Sequence, residues 1–274
     1  MKGRLLNALR LWAARWPHLA FSLARRFAWL LAPLNRGISE ERLAAVFPQL
    51  APGALKAARR RSWGNFVQAE ALSASLQHAD IRPADPEILP NPGLEELRPP
   101  LILASFHIGL FPALGAVLVR LPGEVLVVHQ GRFAPRPGVK LVLRGDDEWD
   151  RASAFHHAVA SLRSGGFVFT TLDGGYRDGA YEAGAVEAPM LGGTISLARG
   201  GFALARITRT PIVPLVARRS DAGVEIVCGQ PIPPADEEEA MAAAAARWLG
   251  EYLSEFPGEI SRRTLQILQP RPGG

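Results

Sequence analysis

The run Leu101–Phe111, LILASFHIGLF, carries the strongest fold signal in the chain. Residues 101–106 form a mostly apolar run of strand length, and Gly109 then marks a turn before a second apolar stretch. A short run of this kind is typical of a strand covered on both faces of a sheet. His107 directly follows the run, at the strand end, where open α/β sheets place their chemistry.

His107 is therefore the first candidate for a functional residue, because imidazole suits general-base chemistry near neutral pH. A core histidine with a satisfied hydrogen bond is an equally weighted alternative for a single residue of this type. Residues 101–119 also have the length of a membrane helix and no charged side chain apart from His107. Gly109, Pro112 and Gly115 nevertheless favour a strand, a turn and a helix.

Outward from this run, strand-like and helix-like segments alternate. The predicted strands are 101–106, 124–129, 139–143, 167–172, 211–217 and 223–228. The predicted helices are 110–120, 150–164, 196–208 and 236–255. Such alternation predicts an α/β fold with a mostly parallel sheet flanked by helices.

An N-terminal helical region precedes this sheet core. Residues 4–34 carry apolar side chains at helical spacing, with several tryptophans and with arginines along another stripe. We predict that residues 1–37 form an amphipathic helix lying on a membrane. A helix that simply covers the domain core is the alternative. Arginines interrupt the apolar run, which argues against a signal peptide and against a full membrane span.

The second predicted domain spans residues 38–268. Its helical part, 38–80, contains two helices, and Ser39-Glu40-Glu41 has the pattern of a helix start. Residues 82–100 are rich in proline and acidic side chains and predict an irregular connection. The sheet core occupies 100–268.

Composition restricts the classes of function. The 274 residues carry a net charge of +5, and arginine supplies nearly all of the positive charge. Such a charge predicts an anionic partner, for example a phospholipid surface or a phosphorylated substrate. No pattern of a nucleic-acid-binding module is present, so we expect no nucleic-acid partner. The single cysteine, Cys228, excludes an internal disulfide, and we predict no metal site.

Several segments together resemble the lysophospholipid acyltransferase superfamily, in particular the lipid A late acyltransferases (lauroyl and myristoyl transferases). The stretch 102–111 resembles the strand that leads to the family's catalytic histidine, and 166–173 resembles the strand that ends in an aspartate. The other matching segments are 42–48 (RLAAVFP), 60–70 (RRSWGNFVQAE), 198–205 (ARGGFALA), 210–214 (TPIVP) and 255–263 (EFPGEISRR). Together they span most of residues 38–265, in the family's order.

The chain departs from the family's central motif, in which an aspartate or glutamate follows the histidine by five positions. Pro112 occupies that position here. Proline can neither orient an imidazole nor stabilise its charged form. Asp173 is the best candidate to replace the missing carboxylate, because it ends a predicted strand at the same sheet edge.

The resemblance implies a glycerolipid acyltransferase-like fold and an enzyme that transfers a fatty or other acyl group. The donor would be a thioester of acyl carrier protein or coenzyme A, and the acceptor a hydroxyl or amine of a lipid or small molecule. It implies no cofactor other than the thioester co-substrate, and a peripheral location on the cytoplasmic face of the bacterial inner membrane, against an anionic surface. Because of Pro112, a catalytically degenerate relative that binds lipid or docks to a partner is the alternative.

Within this chemistry His107 and Asp173 form the catalytic pair. We expect Arg132 and Arg199 to bind substrate phosphate or a developing oxyanion, and the backbone of Gly174 and Gly175 to approach an anion. Ordinary roles remain open for each of these residues: a surface arginine at 132, a packing role at 199 and a simple turn at 173–175.

Overall fold

The computed structural model describes residues 8, 11–13, 15–30, 38–76, 88–129, 139–143, 148–174, 176–177, 180–181 and 184–270. The α-helices are α1 Pro17–Phe27, α2 Glu40–Val46, α3 Pro52–Leu76, α4 Pro92–Glu95, α5 Leu114–Leu118, α6 Glu148–Arg163, α7 Arg199–Thr208, α8 Glu238–Glu255 and α9 Arg262–Ile267. The strands are β1 Leu101–Ser105, β2 Val125–His129, β3 Val139–Leu143, β4 Phe167–Thr171, β5 Tyr176–Arg177, β6 Ala180–Tyr181, β7 Ala185–Met190, β8 Gly193–Ala198, β9 Ile212–Arg219, β10 Val224–Cys228 and β11 Leu268–Pro270.

The predicted α/β fold is confirmed. Among the described residues, six strands form a sheet in the order β10-β9-β1-β4-β2-β3, and all neighbours are parallel except β9 and β10. Strand β1 lies in the interior of this sheet, between β9 and β4. Because parallel strands end at the same edge, the residues that follow β1 and β4 are brought together.

Apolar side chains cover both faces of the sheet. Ile102 and Ala104 belong to a core that includes side chains of α6, α7 and α8, whereas Leu101 and Leu103 belong to a second core that includes those of α5. This alternation follows from the period of two along a strand. It explains why β1 reads as a continuous apolar run, since all five of its residues are buried.

The two helices predicted for residues 38–80 are confirmed as α2 and α3. Ser39 caps α2, because its hydroxyl accepts a hydrogen bond of 3.1 Å from the backbone nitrogen of Arg42. The expected single helix over 4–34 is interrupted within its described part. Trp16 has non-helical backbone angles, and α1 starts with Pro17, a residue suited to the first turn of a helix.

Helix α1 and the residues beside it have two different apolar faces. Small residues on one face pack against α3 and are buried, among them Ala20, Ala24 and Ala28, opposite Val67 and Ala71. Large apolar residues on another face stay exposed, namely Trp16, Leu19, Leu23, Phe27 and Leu30, which we call the α1 stripe. The same segment therefore covers part of the domain with its alanine face and exposes the α1 stripe on another face.

The predicted helix 196–208 is wrong at its start. Residues 193–198 form β8, which pairs with β7 in an antiparallel hairpin, and β11 adds to the other side of β8. The turn Leu191-Gly192 has positive φ angles of 48° and 75°, which close a tight hairpin. Ile195, Ser196 and Leu197 alternate with the period of two that is typical of a strand, and β8 passes directly into the helix at Arg199 with no residue between the two elements.

The predicted helix 110–120 is shorter in the structure. Phe111–Ala113 form a 3-10 turn, and only Leu114–Leu118 are α-helical. The membrane-helix alternative for 101–119 is excluded, because β1 occupies its first part. Within the part of the chain that the structure describes, no helix is long and apolar enough to span a bilayer.

Candidate active site

His107 and Asp173 meet because the strands that precede them are paired in register. Ser105, the last residue of β1, lies opposite Thr171, the last residue of β4. His107 and Asp173 each follow two positions later. The Nδ1 atom of His107 lies 2.8 Å from Oδ1 of Asp173, and the backbone nitrogen of His107 donates a hydrogen bond of 2.8 Å to Oδ2.

The Asp173 carboxylate is therefore bound by His107 at two atoms, which fixes the imidazole ring relative to the strand end. The carboxylate is fully buried, whereas the His107 side chain keeps 32% of its surface exposed. Burial by itself would raise the pKa of Asp173. The charge and hydrogen bonds of His107, together with the charge of Arg263, outweigh burial and hold that pKa below its ordinary value.

The turn after His107 requires glycine at position 109. Gly109 has a φ of +55°, and a Cβ atom there would lie 2.4 Å from the backbone oxygen of Ala217 and 2.7 Å from Oε2 of Glu259. The next residue, Leu110, donates a backbone hydrogen bond of 2.7 Å to Ala217. This turn thus packs the segment after His107 directly against β9 and the C-terminal part of the domain.

Two cavities converge on the imidazole. The first, which we call the α7-side cavity, has a volume of about 470 Å³ and is lined by residues of α6 and α7. The second, the α3-side cavity, has a volume of about 680 Å³ and is lined by residues of α3 and of 109–118. Both cavities are lined by His107, Phe111, Val127, Phe169 and Arg263.

The two cavities differ in chemistry. The α7-side cavity contains the cationic side chains Arg151 and Arg199, besides the glycines at positions 174, 200 and 201. The α3-side cavity has an aromatic and aliphatic wall that includes Trp63, Phe66, Leu114 and Leu118, and its lining also contains both acidic and basic side chains. An anionic group therefore fits the first cavity better, and the apolar wall of the second cavity suits a hydrocarbon chain.

Pro112 lines the α3-side cavity. Its neighbour Phe111 packs against His107, with ring centroids 4.3 Å apart and ring planes tilted by 36°. The position that carries an acid in the resembled family thus contributes to an apolar wall here, while the carboxylate beside the imidazole comes from the residues that follow β4.

The structure places two of the four predicted substrate-binding residues beside His107, and it does not describe the other two. Gly174 and Arg199 line the α7-side cavity with His107. A Cβ at Gly174 would lie 2.4 Å from Oγ1 of Thr171, so the turn has no room for a larger residue. Arg199 also forms an ion pair with Glu238, at 2.6 Å from Nε to Oε2. Arg132 and Gly175 lie outside the described residues.

Arg263 is a site residue that the sequence did not single out. Its Nε donates a hydrogen bond of 2.7 Å to the backbone oxygen of Asp173, and its side chain lines both cavities. It lies in the segment 255–263, which was noted only as part of the family resemblance. Arg263 lies ninety positions after Asp173, and no sequence pattern relates two residues at that separation.

The same closing segment is fastened to α3 by buried polar contacts. Glu259 accepts hydrogen bonds from Nε of Arg61 at 3.0 Å and from Nδ2 of Asn65 at 2.9 Å, and Ser62 bonds to the backbone of Ile260. These contacts join two of the segments that carried the resemblance. Among the described residues, no cluster of three His, Cys, Asp or Glu side chains is arranged to hold a metal ion.

Comparisons with known proteins add a limited result. No protein-family model matches the chain, and no curated protein matches it. Among solved structures, it is similar to the crystal structure of the 1-acyl-sn-glycerophosphate (LPA) acyltransferase PlsC from Thermotoga maritima. The TM-score is 0.39 and the sequence identity 12%, over 88% of this chain and 95% of that chain. Similarity at this level assigns neither a family nor an activity, so function has to be inferred from the site.

Proposed function

We propose that the protein is an acyltransferase that moves an acyl group from a thioester to a hydroxyl or amine of a lipid or small-molecule acceptor. The observation that carries the proposal is the His107–Asp173 pair, 2.8 Å apart, at a wall shared by a cavity with an aromatic and aliphatic wall and a cationic cavity. Acyl transfer needs a base, a slot for the chain and a place for a charged substrate group, and this arrangement offers all three.

In this proposal the carboxylate of Asp173 accepts a hydrogen bond from the protonated Nδ1 of His107, so the unprotonated Nε2 is the nitrogen that acts as the base. Nε2 takes the proton from the acceptor, whose oxygen or nitrogen attacks the thioester carbonyl carbon. The tetrahedral intermediate then collapses, the carbon–sulfur bond breaks, and the leaving thiolate receives the proton from the imidazolium. The buried carboxylate stabilises the imidazolium throughout.

The developing oxyanion needs donors or positive charge close to His107. Arg263 is suited to this role, because it lines both cavities at the place where they share the imidazole. Arg132 and backbone amides of the turn that includes Gly174 remain our candidates from the sequence. We assign the acyl chain to the α3-side cavity, and the phosphate of an acceptor or of the donor's pantetheine arm to the α7-side cavity.

Acyl carrier protein or coenzyme A would carry the donor, and the α1 stripe would hold the enzyme against the cytoplasmic face of the bacterial inner membrane. A late lipid A acyltransferase is the specific branch that the sequence motifs favour. The stripe supports membrane contact, because its five large apolar side chains are all exposed.

The decisive experiment measures thioester consumption and product formation with acyl carrier protein and coenzyme A donors and with membrane lipid acceptors. We expect His107→Ala to lower the rate by about a hundredfold to ten-thousandfold, the usual contribution of a general base. His156→Ala is the matched control, because His156 is exposed on α6. Equal rates for the wild type and His107→Ala would exclude the proposed mechanism.

The alternative function, a non-catalytic lipid-binding relative, is favoured by one observation, Pro112 at the motif's acid position. The proximity of Asp173 to His107 supports the enzyme over this alternative. The two differ in a simple readout: lipid binding without turnover, over a panel of donors, would establish the alternative.

A further inference from the structure

A third cavity, which we call the basic cavity, lies between α1, α3 and the end of β9, and its volume is about 620 Å³. It is lined by residues other than the His107–Asp173 pair and Arg263. Six cationic side chains contribute to it: Arg25, Lys56, Arg60, Arg61, Arg218 and Arg219. The acidic side chains in its lining are Asp221 and Glu225.

Only part of this positive charge is neutralised by the protein. Glu225 pairs with Arg218 at 2.7 Å, and the buried Glu259 pairs with Arg61 at 3.0 Å. Among the residues that the structure describes, no carboxylate lies within ion-pair distance of Arg25, Lys56 or Arg60. The basic cavity therefore has a surplus of cations within a confined volume.

The electrostatics of Arg219 agree with this surplus of positive charge. Burial, followed by the charges of Arg25 and Arg61, lowers the pKa of Arg219, although the charge of Asp221 partly offsets the effect. The guanidinium of Arg218 lies over the ring of Phe256, 3.8 Å from its centroid, which holds this cation in the wall of the cavity. An anion in the cavity would reduce the repulsion among these cations.

We propose that the basic cavity binds a phosphate group, as a phosphate ester, at a site separate from the His107 centre. Phosphate offers several acceptor oxygens and a charge close to −2, and arginine forks match this geometry. The ester is either a soluble one or the headgroup of an anionic lipid. Trp29 lines the cavity and is half exposed, so an aromatic ring is available beside the phosphate for the rest of the ligand.

The test measures binding without turnover, so its outcome does not depend on the proposed acyltransferase activity. Calorimetry with glycerol 3-phosphate probes the soluble source. Sedimentation with phosphatidylcholine vesicles, with and without phosphatidic acid, probes the lipid source. The variant is Lys56→Gln with Arg60→Gln, both exposed on α3. The charge-matched control is Arg120→Gln with Arg163→Gln, both exposed outside the cavity.

We expect the cavity variant to bind the phosphate probe about a hundredfold more weakly, as two charge-assisted contacts are lost, and the control to bind like the wild type. Binding of glycerol 3-phosphate that the cavity variant weakens would identify a soluble ester, and binding to phosphatidic acid vesicles alone, weakened in the same variant, would identify a lipid headgroup. Equal affinities of the two double variants, whether lowered or unchanged, or no binding of either probe by the wild type, would overturn the proposal.

Discussion

The Asp173 carboxylate contacts His107 at both its backbone nitrogen and its Nδ1 atom. The substitution Asp173→Asn replaces the carboxylate with an amide, whose NH₂ group would then face Nδ1. The imidazole would carry its proton on Nε2 and could no longer act as a base there. We expect the rate of acyl transfer to fall by about ten-thousandfold, by analogy with the aspartate of catalytic triads.

Single-turnover thioester consumption measures this effect, and urea unfolding shows whether the variant still folds. Asp236→Asn is the control, because this aspartate forms an exposed ion pair with Arg209. A folded Asp173→Asn protein with wild-type turnover would show that the carboxylate does not set the tautomer of His107.

The turn after His107 leads to a second prediction at the residue scale, which concerns Gly109. Gly109→Ala would force a left-handed residue with a side chain against the backbone of Ala217, 2.4 Å away. We expect a loss of about 1–3 kcal/mol in the free energy of unfolding, together with a lower rate of the proposed acyl transfer, because the turn holds the segment that carries His107.

Gly53→Ala is the matched control, since a Cβ at Gly53 meets nothing within 4 Å and the residue lies in α3. We expect that variant to be as stable as the wild type or more stable by up to about 1 kcal/mol. Urea denaturation curves compare the two, and an equal effect of both substitutions would contradict the steric explanation.

The sequence was sufficient to propose Asp173 as the partner of His107, because both follow apolar runs that read as parallel strands. It was not sufficient for Arg263 or Glu259. These side chains reach the site through the packing of 256–263 against α3 and the end of β4, and tertiary contacts of this kind leave no periodic trace in the sequence.

At the scale of the element, helix α1 has one apolar face that is buried and another that is exposed. Its alanines pack on α3, whereas Leu19 and Leu23 are exposed. We expect Leu19→Ser with Leu23→Ser to weaken binding to phospholipid vesicles by about tenfold per leucine, because each loses its burial in the bilayer interface. The unfolding midpoint should change little.

Vesicle sedimentation measures the loss. Val119→Ser with Ile207→Ser is the control, since these side chains are similarly exposed on other parts of the fold. If both double variants bound vesicles equally well, the α1 stripe would not be the membrane contact.

The element boundaries show where sequence patterns stop being informative. Helix α8 and strands β1 and β9 have strong periodicity or continuous burial, and their predicted bounds agree with the structure to within two residues. Hairpin β7–β8 was missed, because Ala185–Met190 (AVEAPM) contains one β-branched residue, Val186, and includes a proline. Its burial depends on α8 packing over it, which a local pattern cannot reveal.

At the scale of the whole molecule, two buried carboxyl groups are expected to shape the stability in opposite ways. The pKa of Asp173 is lowered from its ordinary value of 3.8, so its stabilising contribution is complete above that pH. The contribution disappears as the pH falls below 3.8 towards the lowered pKa. The difference in unfolding free energy between the wild type and Asp173→Asn should therefore shrink on acidification through this range.

Burial raises the pKa of Glu259 above its ordinary value of 4.5, although Arg61 and Asn65 partly offset the effect. The folded protein then holds this proton more tightly than the unfolded chain, so stability falls as the pH rises from 4.5 towards the raised pKa. Glu259→Gln should gain stability relative to the wild type over that interval. Urea titrations at a series of pH values measure both differences, and parallel profiles for either variant and the wild type would refute that variant's assignment.

The proposed base, His107, and its carboxylate partner, Asp173, are 66 positions apart and follow separate strands, β1 and β4. A histidine with its carboxylate five positions away could keep its partner in a fragment, but this pair cannot. A chain divided between β3 and α6 would leave each piece inert. Mixing the two pieces would restore turnover only as far as β1 and β4 pair again. The rate of acyl transfer would then measure how much of the sheet interior has reassembled.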